Sequence, residues 1–225
     1  MGLFGYKNKR KIMNKAEAKL IIGSDLSNTS KMPSKSFNLS ALDCITGAKL
    51  VNVKNSVCNG CYALKGNYAR YKLTDKLKPK TEKINNSQWV EAMTYLIKNQ
   101  GNQKDNKFFR WHDSGDLQSI DHLKKIVQIC KNTPNIKHWL PTREYKIVNS
   151  YLINFGALPK NLVIRLSSHM IDQKPPSLKG LNTSTVHKIK KAFGVECQSY
   201  KNNNECGDCR LCWNSDIKNI SYKYH

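Results

Sequence analysis

The cysteines carry the most chemistry in their spacing. Cys44, Cys58 and Cys61 form one group, the last two as Cys58-Asn-Gly-Cys61, and Cys197, Cys206, Cys209 and Cys212 form another, closing with Cys-Gly-Asp-Cys-Arg-Leu-Cys. Three thiolates in one place and four in another suit one open metal centre and one closed one. Four Cys saturate an iron–sulfur cube, whereas three leave one iron free for a ligand. The spacing thus points to one or two [4Fe-4S] clusters. Tetrahedral sulfur ligation serves zinc equally well, so a zinc alternative stays open. In that alternative Cys58-x-x-Cys61 and Cys206-x-x-Cys209 make a single site, leaving Cys44, Cys197 and Cys212 without a role. Cys130, the eighth, lies on the apolar stripe of a helix and reads as core.

Three polar segments come next: Asp113-Ser-Gly-Asp116, Pro141-Thr-Arg-Glu144 and Ser167-Ser-His-Met170. Ser114, Gly115 and Asp116 fit a helix-capping turn. They also fit a ligand site, where Gly115 lets the backbone approach while Ser114 and the carboxylates accept hydrogen bonds from an amino group. Arg143 suits a carboxylate or phosphate. Arg165 stands inside an apolar strand, so it must pair or face a wet site. Asp113, Asp116 and Glu144 together would suit a divalent-metal hydrolase or nuclease. Trp111, Trp139 and Trp213 read as packing.

The elements that must position these residues alternate. The pattern predicts strands at 36–40, 108–112, 136–140 and 162–166, and helices at 87–98, 119–131, 144–154 and 184–193. A further helix is expected to open at Tyr62. Such a rhythm implies βαβ units and a parallel sheet, hence an α/β fold: a partial (β/α) barrel or an open parallel sheet with a C-terminal Cys-rich extension. The expected division is a basic N-terminal segment (1–35), an α/β core (36–193) and a metal-binding extension (194–225). Ligands of parallel α/β folds bind at the carboxyl ends of strands, where all three polar segments and the first cysteine group would converge.

The chain has 225 residues, with 38 Lys and Arg against 16 Asp and Glu, a net charge of +22. That predicts attraction to polyanions, nucleic acid first. Composition alone is the other source, since the lysines are spread out, with the densest stretches at Lys7–Lys19, Lys72–Lys83 and Lys188–Lys191. No apolar run is long enough for a membrane span. The start, Met1-Gly-Leu-Phe-Gly-Tyr6, runs into lysines without a cleavable signal, and Tyr6 replaces the Ser or Thr of a myristoylation site. The expectation is a cytoplasmic protein with no membrane partner.

The run Cys44…Cys58-x-x-Cys61-Tyr-Ala, then Phe-Arg-Trp-His-Asp-Ser-Gly-Asp-Leu (109–117), then Trp-Leu-Pro-Thr-Arg-Glu (139–144), resembles the phage "gene product 88" family over about residues 30–215. The layout also resembles, at a distance, the radical S-adenosylmethionine enzymes that carry an auxiliary iron–sulfur cluster. That second resemblance implies a cube on Cys44, Cys58 and Cys61 with Tyr62 beside it. Ser114, Gly115 and Asp116 would hold the amino group of S-adenosylmethionine, Arg165 and Ser167 would lie near its ribose and carboxylate, and Cys197, Cys206, Cys209 and Cys212 would hold the auxiliary cluster. Thirteen residues between Cys44 and Cys58 depart from that family's CxxxCxxC.

Overall fold

A computed structural model describes residues 13–101, 105–178 and 180–224; the basic residues 7–12 and the start at 1–6 lie outside them. In chain order the elements are α1 (Lys15–Ile22), β1 (Ser36–Phe37), α2 (Ile45–Leu50), α3 (Gly66–Arg70), α4 (Leu73–Lys83), α5 (Trp89–Lys98), β2 (Phe108–Trp111), α6 (Ile120–Asn132), β3 (Lys137–Thr142), α7 (Tyr145–Phe155), β4 (Leu162–Ser167), β5 (Asn182–His187), β6 (Val195–Glu196) and β7 (Asn219–Lys223). The strands form one open sheet in the order β1-β2-β3-β4-β5-β7-β6, and every pair is parallel. The order climbs one way from β1 to β5. Right-handed crossovers then place the connecting helices on one face. It is the open-sheet form of the expected α/β fold, not a closed barrel.

The patterns that form these elements are simple. In α6, Ser119 accepts the His122 amide as a cap, while Leu123, Ile126, Val127 and Cys130 share the buried face. Cys130 is core, as expected. β2 sends Phe109 and Trp111 into the helix-covered core, where Phe37 meets both Trp89 and Trp111 edge to face. The opposite face of the sheet carries Phe108 and Trp139, both packed on Trp213. The three tryptophans read as packing are indeed buried.

Several expected bounds shift. The first strand stops at Phe37, and a 3-10 turn, Ala41–Asp43, leads to Cys44. The helix expected at Tyr62 is a single 3-10 turn, Tyr62–Leu64. α5 starts at Trp89 rather than at residue 87. β3 runs through Pro141 to Thr142. The helix expected at 184–193 is a correction: residues 182–187 are strand β5, paired with β4 and β7. Its Thr183, Thr185 and Val186 are β-branched and fit a covered sheet better than a helix. The N-terminal segment contributes α1 to the core, and residues 194–224 add β6 and β7 to the same sheet. Among the described residues, no helix is long and apolar enough to cross a membrane.

Candidate metal centre

Cys44, Cys58 and Cys61 come together at the carboxyl ends of the strands. Cys44 is the residue before α2, and Gly47 sits one turn on. A Cβ placed on Gly47 would stand 2.8 Å from the Cys44 Cβ, 3.6 Å from its Sγ and 3.8 Å from the Cys58 Sγ. The missing side chain is therefore what leaves room for the Cys44 Cβ, with both sulfurs close by. The loop carrying Cys58 is stitched back onto α2, since Ser56 Oγ donates to the Leu50 carbonyl and Asn59 Nδ2 to that of Val51. It is also tied to the segment after β4, where the Val57 amide donates to the His169 carbonyl at 2.9 Å and that of Ile171 to Asn55 at 2.9 Å. The third tie runs to the start of α7. Glu144 accepts the Thr46 amide at 2.8 Å and its hydroxyl at 2.9 Å.

The electrostatics follow from this packing. Burial pushes the Cys44 thiol well above its ordinary range, and the charges of Asp116, Cys61 and Cys58 add to the shift. Burial likewise raises Cys58, against the pull of the nearby Arg143 guanidinium. Arg143 is held in turn, its Nε donating to the Ser168 carbonyl and its own carbonyl facing His169 Nε2. His169 stacks on Tyr145 at 4.5 Å. Tyr62, beside Cys61, is 59% exposed and meets Tyr68 edge-on.

The other residues expected to touch a ligand are engaged within the chain. Ser114 Oγ donates to the Leu39 carbonyl at 2.9 Å. Gly115 has φ +76°, and a Cβ there would lie 2.5 Å from the Leu39 Cβ, so the backbone it admits is that of Leu39. Asp116 accepts from the Leu117 amide, the Thr142 hydroxyl and the Arg143 amide. Burial raises its pKa to about 6 against those bonds. Asp113 accepts from Ser36 Oγ at 2.7 Å. The three carboxylates named for a hydrolase thus each serve donors of this chain. Ser167 Oγ accepts from Ser184 Oγ. Arg165 is fully buried and donates to five carbonyls, those of Thr183, Leu211, Cys212, Asn214 and Ile217. It fastens the Cys-rich segment to the sheet.

That segment gathers the second thiol group. The Cys197 amide bonds to Ser221, that of Cys206 to Lys31, and the Cys212 Sγ meets the Tyr222 hydroxyl at 3.4 Å. Burial pushes Cys212 up to about 12, with Cys197 and Cys206 adding their charge, and it raises Cys206, on which Cys197 and Cys209 act. Cys206 therefore feels the other three, and Cys212 feels Cys197 and Cys206. As placed, no group of three or more His, Cys, Asp or Glu side chains among the described residues is arranged to hold a metal ion. Two surface hollows of about 370 and 400 Å³ lie at the amino ends of the strands, around Thr133–Lys137 and Asn214–Asp216, far from the first thiol group.

Sequence reasoning missed Gly47, Thr46 and the anchoring role of Glu144. His112, which the sequence places at the strand end beside the Asp113–Asp116 turn, has φ +54°, is buried, and leaves both ring nitrogens without a partner.

Fold and site together define a parallel α/β protein with a thiol-lined mouth at its strand ends and a second thiol group on its C-terminal segment. The model of the gene product 88 family matches residues 6–193, and the chain belongs to that family, as its motifs implied. The matched part holds the first thiol group and ends before Cys197. No curated protein and no solved structure matches the chain.

Proposed function

We propose that this gene product 88 protein is an iron–sulfur protein. Cys44, Cys58 and Cys61 hold a [4Fe-4S] cluster with one iron open at the strand ends, and Cys197, Cys206, Cys209 and Cys212 hold a closed one. The observation that carries this reading is the gathering of three thiols whose charges act on Cys44 and Cys58, both beside Gly47, with the Arg143 guanidinium alongside. Buried thiols that raise one another's pKa are costly as free thiolates, and a bound metal stabilises their deprotonated form. Sulfurs about 2.3 Å from a single zinc must crowd to within about 3.8 Å of each other. Those of a cube bind separate irons, so a group of three thiols leaves one iron open and a group of four leaves none, which suits the two groups of this chain.

With a cluster bound, an iron with no protein ligand would offer an open coordination position to a donor ligand, S-adenosylmethionine among them. The chain itself supplies Arg143, whose charge offsets that of the thiolates, and the Glu144–Thr46 bond, which fixes the helix after Cys44. Ser114, Gly115, Asp116, Arg165 and Ser167 are engaged internally. The proposal therefore rests on the thiols and not on S-adenosylmethionine, with Tyr62 following Cys61 and the Arg143 charge acting on Cys44 and Cys58.

Iron, sulfide and zinc content of anaerobically purified protein tests it, for the wild type and Cys58→Ala. About eight irons per chain falling to about four would support two clusters, and a change in the cluster's electron paramagnetic resonance spectrum on adding S-adenosylmethionine would identify that ligand. Zinc without iron would sink the reading and leave a zinc-stabilised basic protein that binds nucleic acid without catalysis.

A further inference from the structure

The charge of this chain acquires a location once the loops at the strand ends are followed. The segment after Cys61 presents Lys65, Arg70, Lys72 and Lys76, all exposed, and the turn after β5 presents Lys188 and Lys190. None of these six takes part in the ion pairs found among the described residues, which join Lys19 to Asp25, Lys124 to Asp121, His187 to Glu196 and Arg210 to Asp105. Apart from Asp75, between Lys72 and Lys76, the acids near these cations are committed elsewhere. Asp113, Asp116 and Glu144 bond inward, and Asp172 accepts the amides of Lys188, Ile189 and Lys190 at 2.7, 3.1 and 3.2 Å. Asp172 thereby bends the basic turn into shape, and its charge faces backbone amides.

Exposed rings interleave with these cations. Tyr62, Tyr71 and Tyr224 are 59%, 54% and 39% exposed. Arg70 lies 5.8 Å from the Tyr71 ring centre, and the Lys188 ammonium lies 4.6 Å from that of Tyr224. Two of the rings adjoin the thiol mouth. Tyr62 follows Cys61 directly, and the Tyr224 hydroxyl lies 3.6 Å from where a Cβ on Gly60 would be, inside the Cys58–Cys61 loop. A ring with an adjacent cation offers a base a flat face and a phosphate a charge. A duplex would use only the cations, because its bases are already stacked.

We propose that the strand-end rim docks single-stranded nucleic acid, with bases on Tyr62, Tyr71 and Tyr224 and phosphates on the rim lysines and Arg70, so that the strand crosses the three-thiol mouth. This names a substrate class for the open centre and rests on the proposed function only in that last clause.

Fluorescence anisotropy with a labelled twenty-nucleotide thymidylate or uridylate strand tests the docking, against an equal-length duplex and heparin as competitors, at several salt concentrations. The single strand is expected to bind more tightly than the duplex, with affinity falling as salt rises. Tyr71→Ala and Tyr224→Ala should each weaken binding about tenfold, whereas Tyr71→Phe should keep it. Paired Lys72→Glu and Lys188→Glu changes should weaken it further, and Lys160→Glu, at the opposite end of the sheet, should not. Equal binding of strand and duplex, heparin competing as well as the strand while both Ala variants bind normally, or an equal loss in Lys160→Glu would each overturn the proposal. Binding by protein that contains no iron would keep the docking and sink the cluster; an iron-loaded protein that ignores the strand would do the reverse.

Discussion

The two thiol groups differ in scaffolding more than in exposure. Cys44, Cys58, Cys61, Cys197, Cys206 and Cys212 are all partly buried, and Cys209 is exposed. The first group rides on loops tied by a few bonds reaching across the mouth, from Glu144 to Thr46 and from Val57 to His169. The second rides on a segment whose carbonyls are gripped by a buried guanidinium and whose Trp213 packs into the sheet. A few bonds at a loop's flank leave its thiols facing a mouth. A buried guanidinium holding several carbonyls at once turns a segment into part of the core. The difference implies that the two groups can be lost separately.

The largest test of that separation is Arg165→Met. It strips five carbonyls of their donor, four of them on residues 211–217. A cost of about 3–5 kcal/mol is expected, read from the urea midpoint, with metal lost from the second group and kept by the first. Equal loss from both groups would break the comparison.

Acid should strike the frame that both groups share. Burial lowers His122 and His138 to about 3 from an ordinary 6.5, so the unfolded chain binds more protons than the native one between those values. Stability is then full above pH 6.5 and falls as pH drops, by about 2 kcal/mol per histidine at pH 5. Asp116, raised to about 6, works the other way: it makes the native state less stable as pH rises from 4 to 6. Denaturant midpoints between pH 4 and 8 should therefore fall on the acid side, and Asp116→Asn should steepen that fall.

Glu144→Ala is the mirror of the arginine variant. It removes two bonds to Thr46, one from an amide and one from a hydroxyl, at a cost of about 2 kcal/mol. Metal should leave the first group only, as counted by metal analysis of the purified variant. Gly47→Ala sharpens the contrast with the smallest change in stability. Alanine favours a helix by about 1 kcal/mol over glycine, yet its Cβ would meet that of Cys44 at 2.8 Å. The thermal midpoint should hardly move while the first metal is lost.

Much of the sheet was legible because its strands and helices have clean periods. β2 to β4 and α5 to α7 lie close to their expected places. β5 was not legible: the sequence 182–187 is polar, and only the partners on either side tell that its Thr and Ser pack inside a sheet. α4 carries a proline and four lysines, and β6 is two residues long, so neither has a usable pattern. In the site, the cysteines could be grouped from spacing alone, and Arg165 could be known to need partners. Which partners it takes depends on a segment 46–52 residues further along the chain for four of its five bonds. The Glu144–Thr46 tie spans 98 residues and leaves no local trace at either end.

β7 sits between β5 and β6, although β6 comes first along the chain. When β6 emerges during synthesis it has no neighbour, because its ladder is to β7. Cys197, bonded to Ser221 of that same late strand, waits with it. The four-thiol group is thus assembled last, after residues 219–223 slot in as an interior strand, whereas the three-thiol loop can close once β4 and its following turn exist. A pause in translation before residue 219 would leave a chain with its first thiol group formed and its second one open.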